Sequence, residues 1–278
     1  MYDVTEFIRW ALTHVNPETI PAGAVLARPF SECGIEPWHY LYGTVRVYTT
    51  EFWLNNRWEN YYKTHGYPTR EDFDKVTIEK GWKSTDRATD CQGLLDAWLT
   101  YEVGEKTDIN ANMNYTSWCT DKGLISEIDR PWVVGEAIFR KSATGSNMAH
   151  IGWICGFVDD EPLIVEAKGL LYGVVVTRLS KGNWTHRGLM TKKFEYPEEK
   201  EPVVFKLTYP RMQGPDCLTM QKALNALGWG PLNEDGVWGP KSDATFQEFI
   251  KANTPEPTNI VDQFQMSEGG YTITITKE

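Results

Sequence analysis

The sequence lacks several features that define whole classes of protein. Nowhere in its 278 residues are there about 18 consecutive apolar side chains, the length that a membrane-spanning helix requires. Its 28 Lys and Arg residues, against 38 Asp and Glu, form no basic cluster. We therefore expect neither nucleic acid nor an anionic membrane as a partner. The N-terminus has no basic segment leading into an apolar run and a small-residue cleavage site, so no secretory signal is expected.

Cysteine is scarce, and its spacing argues against a metal site. The five cysteines are Cys33, Cys91, Cys119, Cys155 and Cys217, an odd number that leaves at least one thiol unpaired within a single chain. None belongs to a CxxC or CxxH pair, and the chain has no HExxH sequence. We expect mostly reduced thiols, no bound metal and no other cofactor.

The hydrophobic pattern predicts helices first and strands after residue 133. The predicted helices cover residues 3–14, 50–64 and 89–103, and Asp3 or Thr5 can cap the first of them. The predicted strands cover residues 133–139, 149–157, 163–167 and 172–179. Helices followed by neighbouring short strands indicate an α+β domain, with N-terminal helices packed on an antiparallel sheet.

Cys91 has the sequence context of a nucleophile. It is predicted in the first turn of a helix whose apolar side chains, between Leu94 and Leu99, pack into the core. The amides at a helix start stabilise a thiolate and can hold the oxyanion that forms when a carbonyl is attacked. Gly93 leaves the approach to the sulfur open. Because an isolated cysteine is more often a small buried apolar residue, the assignment depends on a base elsewhere in the chain.

His150 is the predicted general base, and Glu166 is the predicted residue that orients it. His150 lies on the polar side of its strand, where Gly152 leaves room for a neighbour on the same face. Glu166, after a three-residue turn, shares that face but lies several residues out of register. A bulge or strong twist is needed to bring the two together. The alternative is a histidine with structural contacts only, and the competing histidines are His14, His39, His65 and His186.

These segments resemble the motifs of NlpC-type cysteine peptidases, a family with a papain-like fold. Residues 90–95 (DCQGLL) are similar to the family's Asp-Cys-Ser-Gly-Leu signature, and residues 150–153 (HIGW) to its His-Val-Gly strand. Residues 163–169 (LIVEAKG) and 172–175 (YGVV) resemble a stretch of phage and gut-bacterial members. Residues 40–44 (YLYGT) resemble a segment that borders their substrate cleft.

The resemblance implies a hydrolase that cuts amide bonds in peptidoglycan stem peptides, commonly between D-glutamate and a diamino acid. It assigns Cys91 as nucleophile, His150 as base and Glu166 as third residue, a position where many relatives have His. The substrate-binding residues that it implies are Tyr42, Asp90, Gln92 and Gly93. Because Gln92 replaces the usual small Ser, we expect it to change the cleft beside the sulfur.

The C-terminal part resembles a second wall-directed module, the three-helix peptidoglycan-binding domain. The similarity lies in residues 212–216 (MQGPD), 220–228 (MQKALNALG), 235–242 (DGVWGPKS) and 246–249 (FQEF). It implies a small all-α bundle, with Trp238 as a substrate-binding residue, that holds the catalytic domain on insoluble peptidoglycan. The predicted domains are residues 1–197 for the peptidase, 198–210 for a linker, 211–255 for the bundle and 256–278 for a tail with one strand.

The leading interpretation is an endolysin-like peptidoglycan endopeptidase that works as a monomer. We expect it to be made in the cytoplasm, for example of a phage-infected host, and to act on the cell wall after release. Two alternatives fit the same residues. One is an N-acetylmuramoyl-L-alanine amidase with the same Cys-His chemistry, and the other is a non-catalytic peptidoglycan-binding protein. The missing ligand spacing argues against a metal-dependent hydrolase.

Overall fold

A computed structural model of the chain describes residues 1–197, 205–253, 263–268 and 271–276. The helices are α1 (Val4–Leu12), α2 (Glu51–Asn60), α3 (Arg70–Lys75), α4 (Gly93–Ala97), α5 (Ala111–Met113), α6 (Pro215–Ala226) and α7 (Pro240–Asn253). Helix α4 continues as a π-helix over Trp98–Val103, and α5 as one over Asn114–Trp118. Short 3-10 helices cover Pro17–Thr19, Phe30–Glu32, Tyr62–Thr64 and Leu179–Lys181. None of the described helices is long and apolar enough to cross a membrane.

The strands concentrate in the first of two compact units, Met1–Pro197 and Glu198–Glu278. They are β1 (Tyr2–Asp3), β2 (Val25–Leu26), β3 (His39–Tyr40), β4 (Val47–Tyr48), β5 (Arg87–Thr89), β6 (Thr120–Leu124), β7 (Ala137–Lys141), β8 (Met148–Val158), β9 (Glu161–Gly169), β10 (Gly173–Arg178), β11 (His186–Leu189), β12 (Phe194–Glu195), β13 (Gln263–Glu268) and β14 (Tyr271–Thr276).

Seven of these strands form the main sheet. Their order is β10-β9-β8-β7-β11-β6, with β2 paired to β8, and every pair is antiparallel. Strands β3, β5 and β4 form a second, three-stranded sheet. The unit is therefore α+β with an antiparallel main sheet, as the sequence predicts.

Helix α1 packs against this sheet with the face that its sequence makes apolar. Asp3 caps the helix by accepting a hydrogen bond from the Thr5 amide at 2.8 Å. Phe7, fully buried, meets Trp153 of β8 edge to face, with ring centroids 5.0 Å apart. The helix predicted over residues 3–14 is thus present and ends at Leu12.

Strand β8 is buried on both faces, although the sequence predicts a polar face for His150. Trp153 lies in the core that includes α1. On the opposite face, Ile154 packs with Ile138 and Ile164 in a second apolar cluster. Partly buried side chains from loops cover this cluster. The prediction of a polar face is therefore wrong, and His150 projects into an interior environment.

A buried ion cluster joins β11 to the segment just before β7. Glu136, fully buried, accepts hydrogen bonds from Arg187 at 2.6 and 2.7 Å and from Arg130 at 2.7 and 2.9 Å. The Arg187 guanidinium lies 3.6 Å from the ring centre of Trp132. Nearer the surface, Arg130 meets Asp121 at 2.5 Å. The buried Glu136 carboxylate thus binds two guanidinium groups, and Asp121 supplies the second negative charge of the cluster.

The second unit has its own apolar core around Trp238. The Trp238 ring is 0% exposed and packs against Phe205 and Phe246, with centroids 4.6 and 5.6 Å away. Its indole nitrogen donates to Asp243 at 3.1 Å. The prediction that Trp238 binds substrate is therefore wrong, because the side chain fills the core. Phe205, predicted to lie in a linker, belongs to this core.

Gln221 holds the Asp-Gly-x-Trp turn of this unit. Its buried side-chain amide donates to Asp235 and to the carbonyl of Val237, both at 3.0 Å, and accepts from the Gly236 amide at 2.9 Å. Packing and hydrogen bonding thus account for this motif. In the described residues the unit has two helices, α6 and α7, whereas the resemblance implies three. Its tail has the paired strands β13 and β14 where one strand is predicted.

Candidate active site

Cys91 lies in the turn between β5 and α4. Strand β5 is held by its neighbours, and Thr89 at its end pairs with Tyr40 of β3. Because α4 begins at Gly93, Cys91 precedes the helix instead of lying in its first turn as predicted. All five cysteines are free thiols; four are buried and Cys91 is partly exposed. A thiol that attacks an external substrate needs this access.

The surroundings of the Cys91 sulfur change its pKa in opposite directions. Burial raises the pKa of the thiol to about 12, and the Asp90 carboxylate raises it as well. The backbone amides of Ile151 and Gln92 lower the pKa of the thiol and so favour the thiolate. At neutral pH the resting group is therefore the thiol, and a base has to remove its proton during any reaction.

Asp90 and Gly93 hold the loops around the sulfur together. The Asp90 carboxylate accepts hydrogen bonds from the amides of Gly93 at 2.6 Å and Gly43 at 3.0 Å. Burial raises the pKa of Asp90 to about 6, although these amides lower it. A Cβ at position 93 would lie 2.3 Å from the Thr44 carbonyl oxygen, so glycine is needed for close packing. These contacts give Asp90 and Gly93 a structural role, and their substrate-binding role stays a prediction.

The Gln92 side chain points into the protein, which corrects the prediction that it lines the cleft. It is 2% exposed. Its amide donates to Asp96 at 3.1 Å and accepts from Asn114 at 3.2 Å. Asp96 also accepts the amide of Ile109 at 3.1 Å. Gln92 therefore joins buried polar groups beneath the nucleophile.

Asp96 leads to a prediction for the pH dependence of stability. Burial raises the pKa of Asp96 to about 7, although hydrogen bonds from Gln92 and the Ile109 amide lower it. The folded protein keeps this proton while the unfolded chain loses it above about pH 4, so stability falls as the pH rises toward 7. We expect the stability of the wild type relative to Asp96→Asn to fall by about 2 to 3 kcal/mol between pH 4.5 and 6.5, measured by urea unfolding.

The exposed Asp108 provides the control for this measurement. Asp108→Asn removes a neighbouring carboxylate without removing the buried one. If the difference between wild type and Asp96→Asn stays constant over the same pH range, the assignment of a retained proton to Asp96 is wrong.

His150 and Glu166 form a buried hydrogen-bonded pair. Nε2 of His150 lies 2.7 Å from Oε2 of Glu166, and the two residues are 4% and 2% exposed. Burial alone raises the pKa of Glu166, but hydrogen bonds from His150 and Thr177 outweigh it and the pKa is lowered. An ionised carboxylate accepts a hydrogen bond, so Nε2 carries the hydrogen, and in the neutral imidazole Nδ1 keeps the lone pair that a base needs.

The Cys91 sulfur reaches β8 beside His150. The backbone amide of Ile151, the next residue along the strand, lowers the pKa of the Cys91 thiol. In the part of the chain that the structure describes, no hydrogen bond joins the sulfur to the imidazole. Such bonds are often long in substrate-free enzymes and shorten when substrate binds. The Cys91 thiol and the His150 imidazole therefore both lie near the same end of β8.

The turn between β8 and β9 is tighter than the sequence predicts. It consists of Asp159 and Asp160, with φ of 49° and 60°. Two-residue hairpins of this kind require positive φ at both central positions, which Asp tolerates better than most residues. The predicted three-residue turn is therefore wrong. A two-residue turn alone would set Glu166 on the face of the sheet away from His150.

A bulge in β8 brings Glu166 back to the correct face. The register of β8 and β9 shifts by one residue around Cys155, which is the extra residue of the bulge. Beyond it, Trp153 pairs with Val165. In that register the next residue, Glu166, lies opposite Gly152. Glu166 is therefore on the same face as His150 and is its diagonal neighbour across the two strands. The bulge that the sequence required is thus present.

Trp184 covers the imidazole, and no pattern in the sequence indicates this. The rings of Trp184 and His150 stack with centroids 5.4 Å apart at 21°. Gly152 and Gly182 admit the indole: a Cβ at these positions would lie 3.1 and 2.1 Å from its atoms. The room predicted beside Gly152 is therefore filled by Trp184, which shields the His150–Glu166 pair from water.

Tyr42 presents an exposed ring at the end of an aromatic stack. It is 43% exposed and lies parallel to Tyr61, with centroids 3.8 Å apart, and Tyr61 stacks on His65 at 4.2 Å. The Tyr42 amide donates to the hydroxyl of Tyr62 at 3.0 Å, which fixes the backbone. Tyr42 thus keeps the accessible face that its predicted substrate-binding role requires.

Tyr40 is a neighbour of the sulfur to which the sequence analysis assigned no role. Burial raises the pKa of its hydroxyl, and the charges of Cys91 and Asp90 raise it further. The hydroxyl therefore lies near both groups. The motif at residues 40–44 includes Tyr40, although it predicts a role for Tyr42 alone.

The competing histidines His14, His39, His65 and His186 have partners of their own. His14 is buried and stacks on Trp38, and burial lowers its pKa to about 4. His39 pairs with Asp86 at 3.1 Å. Across the described ranges, none of the four hydrogen-bonds to Cys91. His150, the remaining histidine, precedes Ile151, whose backbone amide lowers the pKa of the Cys91 thiol.

Neither a metal cluster nor a known relative identifies the site. Within the described residues, no group of three or more His, Cys, Asp or Glu side chains could hold a metal ion. Comparisons with protein families, curated proteins and solved structures find no match to this chain. The functional conclusion therefore depends on the chain's own motifs and geometry.

Proposed function

We propose that this protein is a cell-wall hydrolase that cleaves an amide bond in peptidoglycan stem peptides by Cys-His catalysis. The observation that carries the proposal is the buried His150–Glu166 contact of 2.7 Å. The next residue along the strand, Ile151, has a backbone amide that lowers the pKa of the partly exposed Cys91. Nucleophile, base and orienting carboxylate are the groups that thiol-dependent amide hydrolysis needs. The resemblance to NlpC-type peptidases, with their papain-like core, supplies the substrate class.

In the first half of the proposed reaction, Nδ1 of His150 takes the proton of the Cys91 thiol. The thiolate attacks the carbonyl carbon of the scissile amide, and the amides of Cys91 and Gln92, already directed at the sulfur, stabilise the oxyanion. The C–N bond breaks, and the imidazolium gives its proton to the leaving amine. Glu166 remains ionised and stabilises the imidazolium while it exists.

In the second half, water hydrolyses the thioester. His150 takes a proton from the water, whose oxygen attacks the thioester carbonyl. The C–S bond breaks, and the imidazolium gives this proton to the departing Cys91 thiolate. The products are a carboxylic acid on the stem peptide and the free Cys91 thiol. The raised pKa of the thiol makes proton transfer to His150 part of the reaction rather than a preceding equilibrium.

The second unit is the part of the chain that we propose to bind the wall. Its motifs are similar to the three-helix peptidoglycan-binding domain, and attachment to an insoluble substrate raises the local concentration of the first unit there. Because Trp238 and Gln221 are buried, contacts to the wall have to come from other side chains. The enzyme acts as a monomer on the wall after its release from the producing cell.

One observation favours a second candidate, a wall-binding protein without turnover. The pKa of the Cys91 thiol is raised to about 12, which lowers the fraction of thiolate. Such a protein would bind peptidoglycan and leave every bond intact. An amidase that cuts at muramic acid would use the same Cys-His groups but give different products.

Digestion of purified sacculi tests the proposal. We expect the full chain to release soluble muropeptides with one new amino group inside the stem peptide for each bond cut, detected by mass spectrometry. Alkylation by iodoacetamide should abolish release, and EDTA should not affect it. Stem peptides released whole from muramic acid would identify the amidase, and binding without release would identify the non-catalytic protein. Loss of activity in EDTA alone would contradict thiol catalysis.

A further inference from the structure

We propose that Thr177 is a positioning residue of this site: its hydroxyl fixes the Glu166 carboxylate and, through it, the His150 imidazole. The expected effect on turnover rests on the proposed function. The effect on the imidazole itself rests only on the contacts below.

Three neighbouring strands supply one row of hydrogen-bonded side chains. His150 on β8 bonds Oε2 of Glu166 on β9 at 2.7 Å, and Thr177 on β10 donates to Oε1 at 2.6 Å. Thr177 pairs with Ile164 and Val175 with Glu166, so Thr177 and Glu166 are diagonal neighbours on one face. The two oxygens of the carboxylate thus have different partners on opposite sides.

Two donors fix the carboxylate where one would leave it free to rotate. The terminal torsion of Glu is broad, with no staggered well to hold it. A single bond from His150 positions one oxygen and leaves the plane of the group undetermined. The Thr177 hydroxyl holds the second oxygen, which fixes the plane of the Glu166 carboxylate. The position of the oxygen that accepts from Nε2–H of His150 is then fixed as well. Water is a poor substitute, because Glu166 and His150 are both buried.

The sheet itself does not require a hydroxyl at position 177. Residues 174–176 of the same strand are all Val, and β-branched side chains without a polar group suit a buried strand. Valine has nearly the shape of threonine and the same branching at Cβ. Thr177 is partly exposed, a position where either residue suits a strand, so the strand does not require the hydroxyl, and the hydrogen bond that this hydroxyl makes is to Glu166.

Two cations share this face and have to be considered in any measurement. Lys168 lies two residues along β9 and lowers the pKa of Glu166. Arg140 of β7 is paired with His150 and so faces the same side. The indole of Trp184 covers the imidazole face. Substitution at position 177 leaves all three in place, so it tests the hydroxyl alone.

The test compares Thr177→Val with Thr177→Ser in the full chain. We expect Thr177→Val to lower kcat about 10-fold, with KM changed less than about twofold, and Thr177→Ser to restore most of the activity. In protein with 15N-labelled histidine, we also expect the Nε2–H proton of His150 to exchange with water at least about 10-fold faster in Thr177→Val. Thr177→Ala is measured as well, in case the valine variant fails to fold.

Thr120→Val is the matched control. Its hydroxyl makes a bond of the same length, 2.6 Å, to Thr191 at the β6 edge of the sheet. It should change neither kcat nor the His150 proton. If Thr177→Val leaves that proton unchanged, the inference is overturned whatever happens to kcat. If the proton responds but the wild type cleaves no peptidoglycan, the positioning role stands and the proposed function fails.

Discussion

Cys91→Ala is expected to lower kcat/KM for muropeptide release by at least about 10⁴-fold. Without the sulfur, no thioester can form, and the remaining oxyanion donors and His150 support only weak direct attack by water. Binding to insoluble peptidoglycan should be unchanged, because we assign it to the second unit. Release of soluble muropeptides and pull-down with sacculi measure the two properties separately.

Cys33→Ala is the control for this prediction. Cys33 is a buried free thiol in the same unit, with a contact from its sulfur to the carbonyl of Pro29 at 3.6 Å. Its replacement should leave turnover within about twofold of the wild type, since it removes a thiol that no substrate reaches. If Cys91→Ala keeps more than a tenth of wild-type activity, another group is the nucleophile.

Glu136→Gln is expected to destabilise the first unit by about 3 to 5 kcal/mol. The side chain keeps its shape, but two guanidinium groups, those of Arg187 and Arg130, lose the carboxylate that binds them both. Arg187 is buried and cannot recover its hydration by a small movement. The free energy of unfolding in urea measures the effect, with circular dichroism as the signal.

Asp121→Asn provides the matched comparison, because its carboxylate binds the same Arg130 from the surface. Exposed ion pairs contribute little, so its effect should be below about 1 kcal/mol. Equal effects of the two substitutions would mean that burial of Glu136 does not determine the energetics of the cluster.

Much of the fold follows from local patterns in the sequence. The helix at α1 and its Asp3 cap are predicted, as are the strands β8, β9 and β10, because periodicity and capping act over a few residues. The burial of both faces of β8 is not predictable in this way. The covering residue Trp184 lies 34 positions from His150 in the sequence, and its contact depends on how loops return over the sheet.

In the site, too, short motifs predict some residues, whereas others depend on contacts that only the folded chain makes. Short motifs predict Cys91, His150 and Glu166, and the structure pairs the last two near one end of β8. Motif positions carry no information about side-chain direction, which is why they predict Gln92 and Trp238 as substrate-binding residues although both are buried. No motif predicts Thr177, because its role depends on strand register, which a single bulge at Cys155 changes.

Because of the bulge, the His150–Glu166 pair depends on whether the number of residues between the two is odd or even. Side chains alternate between faces along β8 and β9, so inserting or deleting one residue within either strand, between the turn and His150 or Glu166, would turn the carboxylate away from the imidazole. A change of two residues would slide the partners along the strands and keep them on a common side. Length variation within these strands is therefore compatible with the pair only in even steps, unless a second irregularity compensates.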